Sequence, residues 1–500
     1  MIKEYYEKIC DGEDVRANLI ALRQSLKEEN NRRAFAYLLG GEFEKLCELL
    51  QHEDPKVRKN AALILGQMES EDLLPVLFDT YKTEKTKFVR VDYLKAMSEM
   101  DYERLVPRLE KELEVLRGTE FSQEEWKHVS EEIRMLQNMI MKYRSKGHHR
   151  FTGYHVVTDM VLVTNRCQRE ATARQIRNGR LTMLAGGIKV REAQVGDLLP
   201  IRTYSELLFP LETPVLPVHS PEETGQAAAE GIMKKALELH QGGAPFLFRI
   251  ELKSRIAPER KGAYIRKISD AIEKASGGDL INSVSDYELE LRLMERKDGT
   301  FAPMLKLFSL PDRRFAYRKE TVASSIHPCN AALTVELAKP YLKEGAQILD
   351  PFCGVGTMLI ERSRALTTGP MYGIDIYGDA IEKARDNTER AGCRVYYINK
   401  DFFEFEHEYL FDEIITDMPQ VTASRAKKEI RQLYLDFFAR AGKHLKKDGV
   451  MVLYATEPQF VQDSLSLYGD YRLENKYTIN EKNGTCVFAI RWCGSPGRDQ

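Results

Sequence analysis

Residues 348–357, Ile-Leu-Asp-Pro-Phe-Cys-Gly-Val-Gly-Thr, most strongly constrain how this chain can fold. An apolar pair is followed by an aspartate, by two glycines and then by the helical pattern that begins at Met358. This order predicts a buried strand that enters a tight turn, after which a helix begins. Because Gly354 and Gly356 have no side chains, a small ligand can approach the backbone of the turn. The stretch therefore predicts a ligand-binding loop at the end of a strand.

The residues around this loop favour a nucleoside over a dinucleotide. Leu359 stands where the dinucleotide-binding fingerprint has its third glycine, so a pyrophosphate cradle is disfavoured. Asp375 ends a second predicted strand, and its carboxylate can accept hydrogen bonds from both hydroxyls of a ribose. Asp401 follows a third strand-like run, and Asp417 ends a fourth. An acid at the end of each of four strands predicts one polar site for a ligand without phosphates.

Residues from about 330 to 493 resemble the class I S-adenosylmethionine-dependent methyltransferase domain, in which such acids occur in this order. More narrowly, the string Asp-Pro-Phe-Cys-Gly-x-Gly-Thr resembles the THUMP-containing RNA methyltransferases, which modify the exocyclic amine of guanine. The resemblance implies a Rossmann-like domain over residues 321–500 with a mostly parallel, seven-stranded sheet. It also implies S-adenosyl-L-methionine as the cofactor and rRNA or tRNA as the methyl acceptor.

The same resemblance implies roles for individual residues. Asp350 would anchor near the amine of the cofactor, Asp375 would hold the ribose and Asp401 the adenine. Asp417, with the backbone carbonyls that follow it, would accept hydrogen bonds from the amine of the target base. The implied cofactor-binding residues are Asp350, Pro351, Cys353, Gly354, Gly356, Thr357, Asp375, Ile376, Asp401 and Phe402. The implied catalytic residues are Asp417, Met418, Pro419 and Gln420.

The fourth motif differs from the family pattern at Gln420, where an aromatic residue usually stacks on the target base. Such stacking contributes about 1–3 kcal/mol per base, whereas a glutamine can only hydrogen-bond a base edge. Three functions are therefore compatible with the motif. The chain is an active RNA methyltransferase with stacking from Phe402 or Phe403, a catalytically impaired RNA-binding scaffold that still binds the cofactor, or a methyltransferase for protein side chains. We favour the first, because the acids of the cofactor site are all present.

The N-terminal residues contain a degenerate repeat. Val57-Arg58 recurs as Val89-Arg90, and Leu73-Leu74-Pro75 recurs as Leu105-Val106-Pro107 at the same spacing. Paired short helices with such a period form an α-solenoid, and the pattern resembles HEAT repeats. A helical bundle with chance matches is the alternative. We predict helical repeats over residues 1–145 that provide a docking surface, for a protein partner or for RNA.

The central residues, 146–320, have a mixed α and β pattern. The strand 246–252, the helix 264–272 and the strand 287–293 precede Phe315-Ala-Tyr-Arg-Lys319, and this order resembles a THUMP domain with its linker arm. Two basic clusters in this region can neutralise RNA phosphates. The predicted RNA-binding residues are Lys253, Arg255, Arg260, Lys261, Arg266 and Lys267 in one cluster, and Arg313, Arg314 and Arg318 in the other.

Composition limits the remaining possibilities. A net charge of −2 does not by itself indicate nucleic-acid binding, so that function depends on the local basic clusters. The eight cysteines have no CxxC spacing, which favours a reducing cytoplasm and predicts no metal site. The paired His148 and His149 are interpreted as solvated linker residues. No apolar run approaches the roughly 18 residues of a membrane span, so we expect a cytoplasmic protein without a membrane segment.

Overall fold

The computed structural model describes residues 2–119, 121–144, 148–323, 325–422 and 426–494. The predicted boundary between residues 145 and 146 lies outside these ranges. By their internal contacts the residues divide into two compact units. The first unit contains Met1–His149, Glu212–Leu237 and Gly242–Pro303, and the second contains Arg150–Leu211, Glu238–Gln241 and Met304–Gln500. This division does not test the three predicted domains, which remain a proposal. Their bounds are 1–145, 146–320 and 321–500.

The N-terminal part of the first unit is helical. Its helices are α1 (Ile2–Cys10), α2 (Val15–Ser25), α3 (Glu29–Leu39), α4 (Glu44–Glu48), α5 (Pro55–Gly66), α6 (Leu74–Thr83), α7 (Lys87–Ser98), α8 (Val106–Arg117) and α9 (Gln123–Arg144).

The repeated sequence pattern corresponds to repeated packing of these helices. Pro75 and Pro107 stand in the first turns of α6 and α8, where proline fits because the first amides of a helix need no internal partner. Val57 and Val89 are buried in α5 and α7, and the arginine after each valine pairs with an acid. The repeats therefore share both a hydrophobic position and an arginine that joins neighbouring helices.

Arg90 forms the more deeply buried of these ion pairs. Its Nε lies 2.7 Å from Oε1 of Glu132 on α9, and the Tyr81 hydroxyl donates to the same oxygen at 2.7 Å. The Glu132 side chain is fully buried. Helix α9 thus packs at the end of the stack, where the Glu132 carboxylate accepts hydrogen bonds from both Arg90 and Tyr81.

The elements between the helical repeats and the C-terminal sheet are mostly short. They are β1 (Arg150–Phe151), β2 (Val157–Thr164), α10 (Arg169–Ala173), β3 (Arg180–Leu184), β4 (Gly187–Gln194), α11 (Val195–Leu198), β5 (Tyr204–Pro210), α12 (Pro221–Leu239), β6 (His240–Gln241), β7 (Phe246–Lys253), α13 (Pro258–Ala275), β8 (Leu280–Asn282), β9 (Leu289–Glu295) and β10 (Phe301–Leu307).

Within the first unit, β7 pairs in parallel with both β8 and β9. The Gln137 amide of α9 donates to the Gly278 carbonyl at 2.5 Å, which joins the helical stack to the turn before β8. The position of His149 in the structure contradicts the prediction that it is a solvated linker residue. Its Nδ1 lies 2.8 Å from the buried carboxylate of Glu288, and its ring packs on Phe246 with centroids 4.1 Å apart.

Within the second unit, β2 pairs with β4 and β5, and β4 also pairs with β3, all antiparallel. The later elements are α14 (Pro328–Ala338), β11 (Ala346–Asp350), α15 (Thr357–Ala365), β12 (Thr368–Asp375), α16 (Gly378–Ala391), β13 (Tyr396–Asn399), β14 (Phe411–Asp417), α17 (Lys427–Ala441), β15 (Leu445–Ala455), α18 (Pro458–Leu467), β16 (Tyr471–Thr478) and β17 (Cys486–Trp492).

The strands β11 to β17, within the described residues, form one seven-stranded sheet in the order β13-β12-β11-β14-β15-β17-β16. The first five are parallel, and β17 and β16 are antiparallel to their neighbours. The predicted mostly parallel, seven-stranded sheet is confirmed. Parallel pairing places the carboxyl ends of β11, β12, β13 and β14 at the same edge of the sheet.

We predict that Glu132→Gln destabilises the helical repeats, because it leaves the Arg90 guanidinium without a compensating charge in a buried site. Removing one member of a buried pair costs about 3–5 kcal/mol, and local opening of α7 and α9 should become easier by about that much. Hydrogen-exchange mass spectrometry of peptides from these helices measures the change.

The neighbouring Glu131→Gln is the matched control. Its side chain is half exposed and pairs with Lys95, so its loss should cost less than about 1 kcal/mol. Equal exchange in the two variants would contradict the structural role assigned to Glu132.

Candidate active site

The four predicted acids meet at one cleft. Asp350, Asp375 and Asp417 end the strands β11, β12 and β14, and Asp401 follows β13. All four line a cavity of about 730 Å³ in the second unit, a volume within the ordinary range for small-molecule sites. The cavity is also lined by Pro351, Cys353, Gly354, Thr357, Ile376, Phe402, Met418, Pro419 and Gln420. The structure thus brings together every predicted site residue of this domain except Gly356.

The two glycines of the loop have different roles. Gly354 has a φ of +50°, and a Cβ added there would meet nothing within 4 Å, so its backbone is open to a ligand. Gly356 has a φ of +80°, and a Cβ there would lie 2.2 Å from the Tyr397 hydroxyl. Gly356 does not line the cavity. Its predicted contact with the cofactor is therefore corrected to a packing role at the start of α15.

Asp375 is held in a fixed orientation by backbone amides. Its Oδ2 accepts a hydrogen bond from the Gly354 N–H and its Oδ1 accepts one from the Tyr377 N–H, both at 2.9 Å. Asp401 is fixed in a similar way, since its Oδ1 accepts from the Phe403 N–H at 2.9 Å. Each carboxylate retains lone pairs that can accept further hydrogen bonds from a ligand. The glycine loop and Asp375 are consequently joined by a hydrogen bond.

Asp350 is buried and Asp417 is half-buried in the cleft, and these two differ from the other acids in that their pKa values are raised. Burial raises the pKa of Asp350 to about 7, and the nearby Asp375 adds to this while the Phe352 N–H opposes it. Burial, together with the charge of Asp350, raises the pKa of Asp417 to about 8. Desolvation disfavours a carboxylate, so both groups are stabilised in the charged form by a cation in the cleft. The site is suited to a ligand that carries positive charge.

The segment after β14 gives the cleft a second polar group. The Met418 N–H donates to the Tyr454 carbonyl at 2.9 Å, and the Met418 side chain is buried. Pro419 has no N–H, and Gln420 is exposed at the rim of the cavity. Asp417 and Gln420 are therefore the residues of this motif whose polar side chains line the cleft.

Phe402 cannot supply the missing aromatic stacking. It is 1% exposed, and its ring packs against Phe352 and Phe437 with centroids 6.0 and 5.8 Å apart. Phe403 also lines the cavity and is only half-buried, so it is the better placed of the two proposed aromatic residues. Phe402 contributes to the floor of the site and is corrected as a stacking candidate.

Sequence reasoning did not assign several residues of the cleft. Tyr377 lies two residues after Asp375, while Ile430 and Leu433 come from the first turns of α17. The spacing of Ile430, Leu433 and Phe437 marks one apolar face of that helix, and this signal could have placed them against the cleft.

The predicted RNA-binding residues of the first unit lie at the end of β7 and along α13. They are Lys253, Arg255, Arg260, Lys261, Arg266 and Lys267, of which Lys261 is half-buried and the others are exposed. Arg255 pairs with Glu295 at 3.5 Å, and Lys267 pairs with Glu222 at 3.2 Å. The cationic side chains of both pairs are exposed, so the ion pairs are weak. The cluster can therefore still attract an anion.

Of the predicted RNA-binding residues in the second unit, Arg313 is exposed and Arg318 is half-buried. Arg314 is buried, and its Nε and Nη2 donate to Asp312 at 2.9 and 2.6 Å. Its Nη1 donates to the Tyr204 carbonyl at 2.8 Å. Arg314 therefore stabilises the fold and cannot present its charge to a phosphate, which corrects its predicted role.

Among the described residues, no group of three or more His, Cys, Asp or Glu side chains could hold a metal ion. Within the same ranges, every helix is too short or too polar to cross a membrane.

Two parts of the chain match known families. Residues 316–485 match the RMKL-like methyltransferase domain, and residues 43–115 match HEAT repeats, which confirms the predicted repeats there. The tRNA (guanine(10)-N2)-dimethyltransferase of Methanothermobacter thermautotrophicus is 33% identical over 143 residues. The match covers 28% of this chain and 40% of that protein, so the chain spans less than half of this relative's length.

A protein of Methanothermococcus thermolithotrophicus bears the name "Probable tRNA (guanine(10)-N2)-dimethyltransferase" and is 30% identical over 125 residues, which are 22% of this chain and 70% of that protein. The crystal structure of TrmN from Thermus thermophilus has a TM-score of 0.52 at 20% identity, covering 67% of this chain and 99% of TrmN. That likeness shows a shared fold. Given the matched domain and the relative covered over most of its length, the chain belongs to the RMKL-like family of class I methyltransferases, whose cofactor is S-adenosylmethionine.

Proposed function

We propose that this protein transfers a methyl group from S-adenosylmethionine to the exocyclic amine of a guanine in tRNA or rRNA. The observation that carries the proposal is the half-buried Asp417 carboxyl, which has a raised pKa and lines the same cavity as Asp350, Asp375 and Asp401. The names of the two tRNA methyltransferase relatives support guanine N2 as the target. The exposed basic residues of α13 support RNA as the substrate.

The cleft positions the cofactor through groups that are already oriented. Bound S-adenosylmethionine supplies an electrophilic methyl group on a positively charged sulfur. Asp375 accepts hydrogen bonds from the ribose hydroxyls, and Asp401 accepts one from the adenine amine. Gly354 leaves space beside its backbone, and Asp350 lies close to the cationic part of the ligand. Positioning of this kind lowers the barrier mainly by holding the reacting atoms in line.

Asp417 acts on the acceptor. Its carboxylate accepts a hydrogen bond from the guanine amine, which orients the nitrogen lone pair towards the methyl carbon. When the amine nitrogen gains the methyl group and the donor sulfur leaves as a thioether, the amine would become more acidic and Asp417 would accept its proton. The raised pKa of Asp417 suits it to take that proton near neutral pH.

The remaining parts of the chain select the RNA. We propose that residues 146–320 form a THUMP-like RNA-binding region, in which Lys253, Arg260, Lys261 and Arg266 neutralise phosphates. The helical repeats of residues 1–145 provide a docking surface for a protein partner. Such a division separates recognition of the RNA from chemistry at the base.

We predict that the affinity for S-adenosylmethionine rises between pH 6 and pH 8.5. With pKa values of about 7 and about 8, Asp350 and Asp417 are largely protonated at pH 6 in the free protein, and a bound cation favours their charged forms. Binding near pH 7 should therefore release protons. Titration calorimetry in two buffers of different ionisation enthalpy measures that release.

In this experiment Asp417→Asn is the comparison variant. It removes the group with the higher pKa, so the rise in affinity should level off about one pH unit lower than in the wild type. An affinity that is constant or falls with increasing pH would contradict the raised pKa values of these carboxyls.

We predict that Asp417→Ala and Asp417→Asn lower methyl transfer by about 100-fold or more while cofactor binding at pH 7 is retained. The lost acceptor acts on the transition state, and a single preorganised group of this kind contributes on that scale. Transfer of a labelled methyl group to total cellular RNA measures the effect, and calorimetry measures the binding.

Asp379→Asn, which removes an exposed acid at the same cleft, is the matched control and should retain activity. Wild-type transfer by Asp417→Asn would remove Asp417 from the mechanism. A wild-type protein that binds the cofactor but methylates no RNA would favour the scaffold or the protein-substrate function instead.

We predict that Lys261→Ala with Arg266→Ala reduces the salt dependence of RNA binding. Each lost phosphate contact lowers the slope of log affinity against log salt by about 0.7–0.9, so the double variant should lose between one and two. The measurement is binding of total tRNA at several salt concentrations. The control is Lys27→Ala with Lys111→Ala, which removes the same charge from the turn between α2 and α3 and from α8. An equal loss of slope in the control variant would place the RNA contact outside α13.

A further inference from the structure

Gln420 lines this cleft but has no role in the proposed chemistry. It is exposed, it lines the cavity with Asp417, and among the described residues its carboxamide has no hydrogen-bond partner. An amide presents one acceptor and two donors side by side. At this position the group is available to a ligand that enters the cleft.

The residues between Asp417 and Gln420 offer no competing polar side chain and no free N–H group. The Met418 N–H is already bonded to Tyr454 and the Met418 side chain is 2% exposed, while Pro419 has no N–H. A base whose amine is held by Asp417 therefore meets the Gln420 carboxamide as the next side-chain polar group of this motif.

The edge of guanine has the complementary order of groups. Its N2 amine is followed by the N1–H donor and then by the O6 acceptor. With the amine directed at Asp417, the carboxamide oxygen can accept from N1–H while the carboxamide nitrogen donates to O6. A paired contact of this kind discriminates between bases by a factor of about 10 or more.

We propose that Gln420 is the residue that selects guanine, by a paired hydrogen bond to N1–H and O6 that replaces aromatic stacking at this position. The inference rests on the proposed function and adds to it the atoms by which the base is recognised. A purine that keeps the N2 amine but lacks N1–H and O6 loses both contacts, and the unpaired carboxamide then disfavours that base.

The test combines a protein substitution with a base substitution. The methylated nucleotide is first mapped by nuclease digestion and mass spectrometry of wild-type reactions on total tRNA. Two synthetic RNAs of the surrounding sequence then carry either guanosine or 2-aminopurine riboside at that nucleotide. The values of kcat/KM for both RNAs are compared in the wild type, Gln420→Met and Gln420→Glu. Gln462→Met, which changes an exposed glutamine of α18 outside the cavity, is the control.

We expect the wild type and Gln462→Met to prefer guanosine by about tenfold or more, and Gln420→Met to reduce that preference to about threefold or less. Gln420→Glu should keep an intermediate preference, since it still accepts from N1–H. Cofactor affinity should not change, which separates recognition of the base from damage to the fold.

Equal losses on both RNAs in Gln420→Met, or an unchanged preference, would overturn the inference while leaving the proposed function intact. A wild-type reaction that yields no N2-methylguanosine would overturn the proposed function and this inference together.

Discussion

The candidate active site depends on the parallel pairing of β11 with β12 and β14. This pairing puts Asp350, Asp375 and Asp417 at one edge of the sheet, although they lie far apart in the chain. The hydrogen bond from the Gly354 N–H to Asp375 then joins the glycine loop to the neighbouring strand. Because the Asp375 carboxylate both orients the loop and faces the cleft, the same residue determines the shape and the polarity of the site. Moving either strand by one residue would separate them.

Local patterns predicted the parts of this site that depend on the ends of strands. The four acids and the glycine turn could be predicted because each lies at the end of an apolar run or within a few residues of it. Gly356 and Arg314 were assigned incorrectly, because their surroundings come from distant residues. Tyr397 fills the space beside Gly356, while Asp312 and the Tyr204 carbonyl enclose Arg314. A charged residue in a basic cluster gives no indication in the sequence of whether it is buried.

The helical repeats show the same limit at another scale. The recurrence of Val57-Arg58 as Val89-Arg90 predicted the stacked helices, since buried valines and paired helices follow from spacing alone. The acceptor of each arginine could not be predicted in this way. Arg58 pairs with Glu84, whereas Arg90 pairs with Glu132 from a helix outside the repeated pattern. The last repeat is thus completed by α9, which also contacts the turn before β8 through Gln137.

The two carboxyls with raised pKa values suggest an order for the proposed reaction. Without a cation in the cleft, Asp417 is mostly protonated at neutral pH and is a poor acceptor for the amine of guanine. A positively charged cofactor lowers its pKa and converts it to the acceptor that the chemistry requires. Because such coupling is reciprocal, a base that hydrogen-bonds to charged Asp417 also strengthens cofactor binding. In the proposed reaction, the raised pKa of Asp417 would therefore make recognition of the base depend on the cofactor.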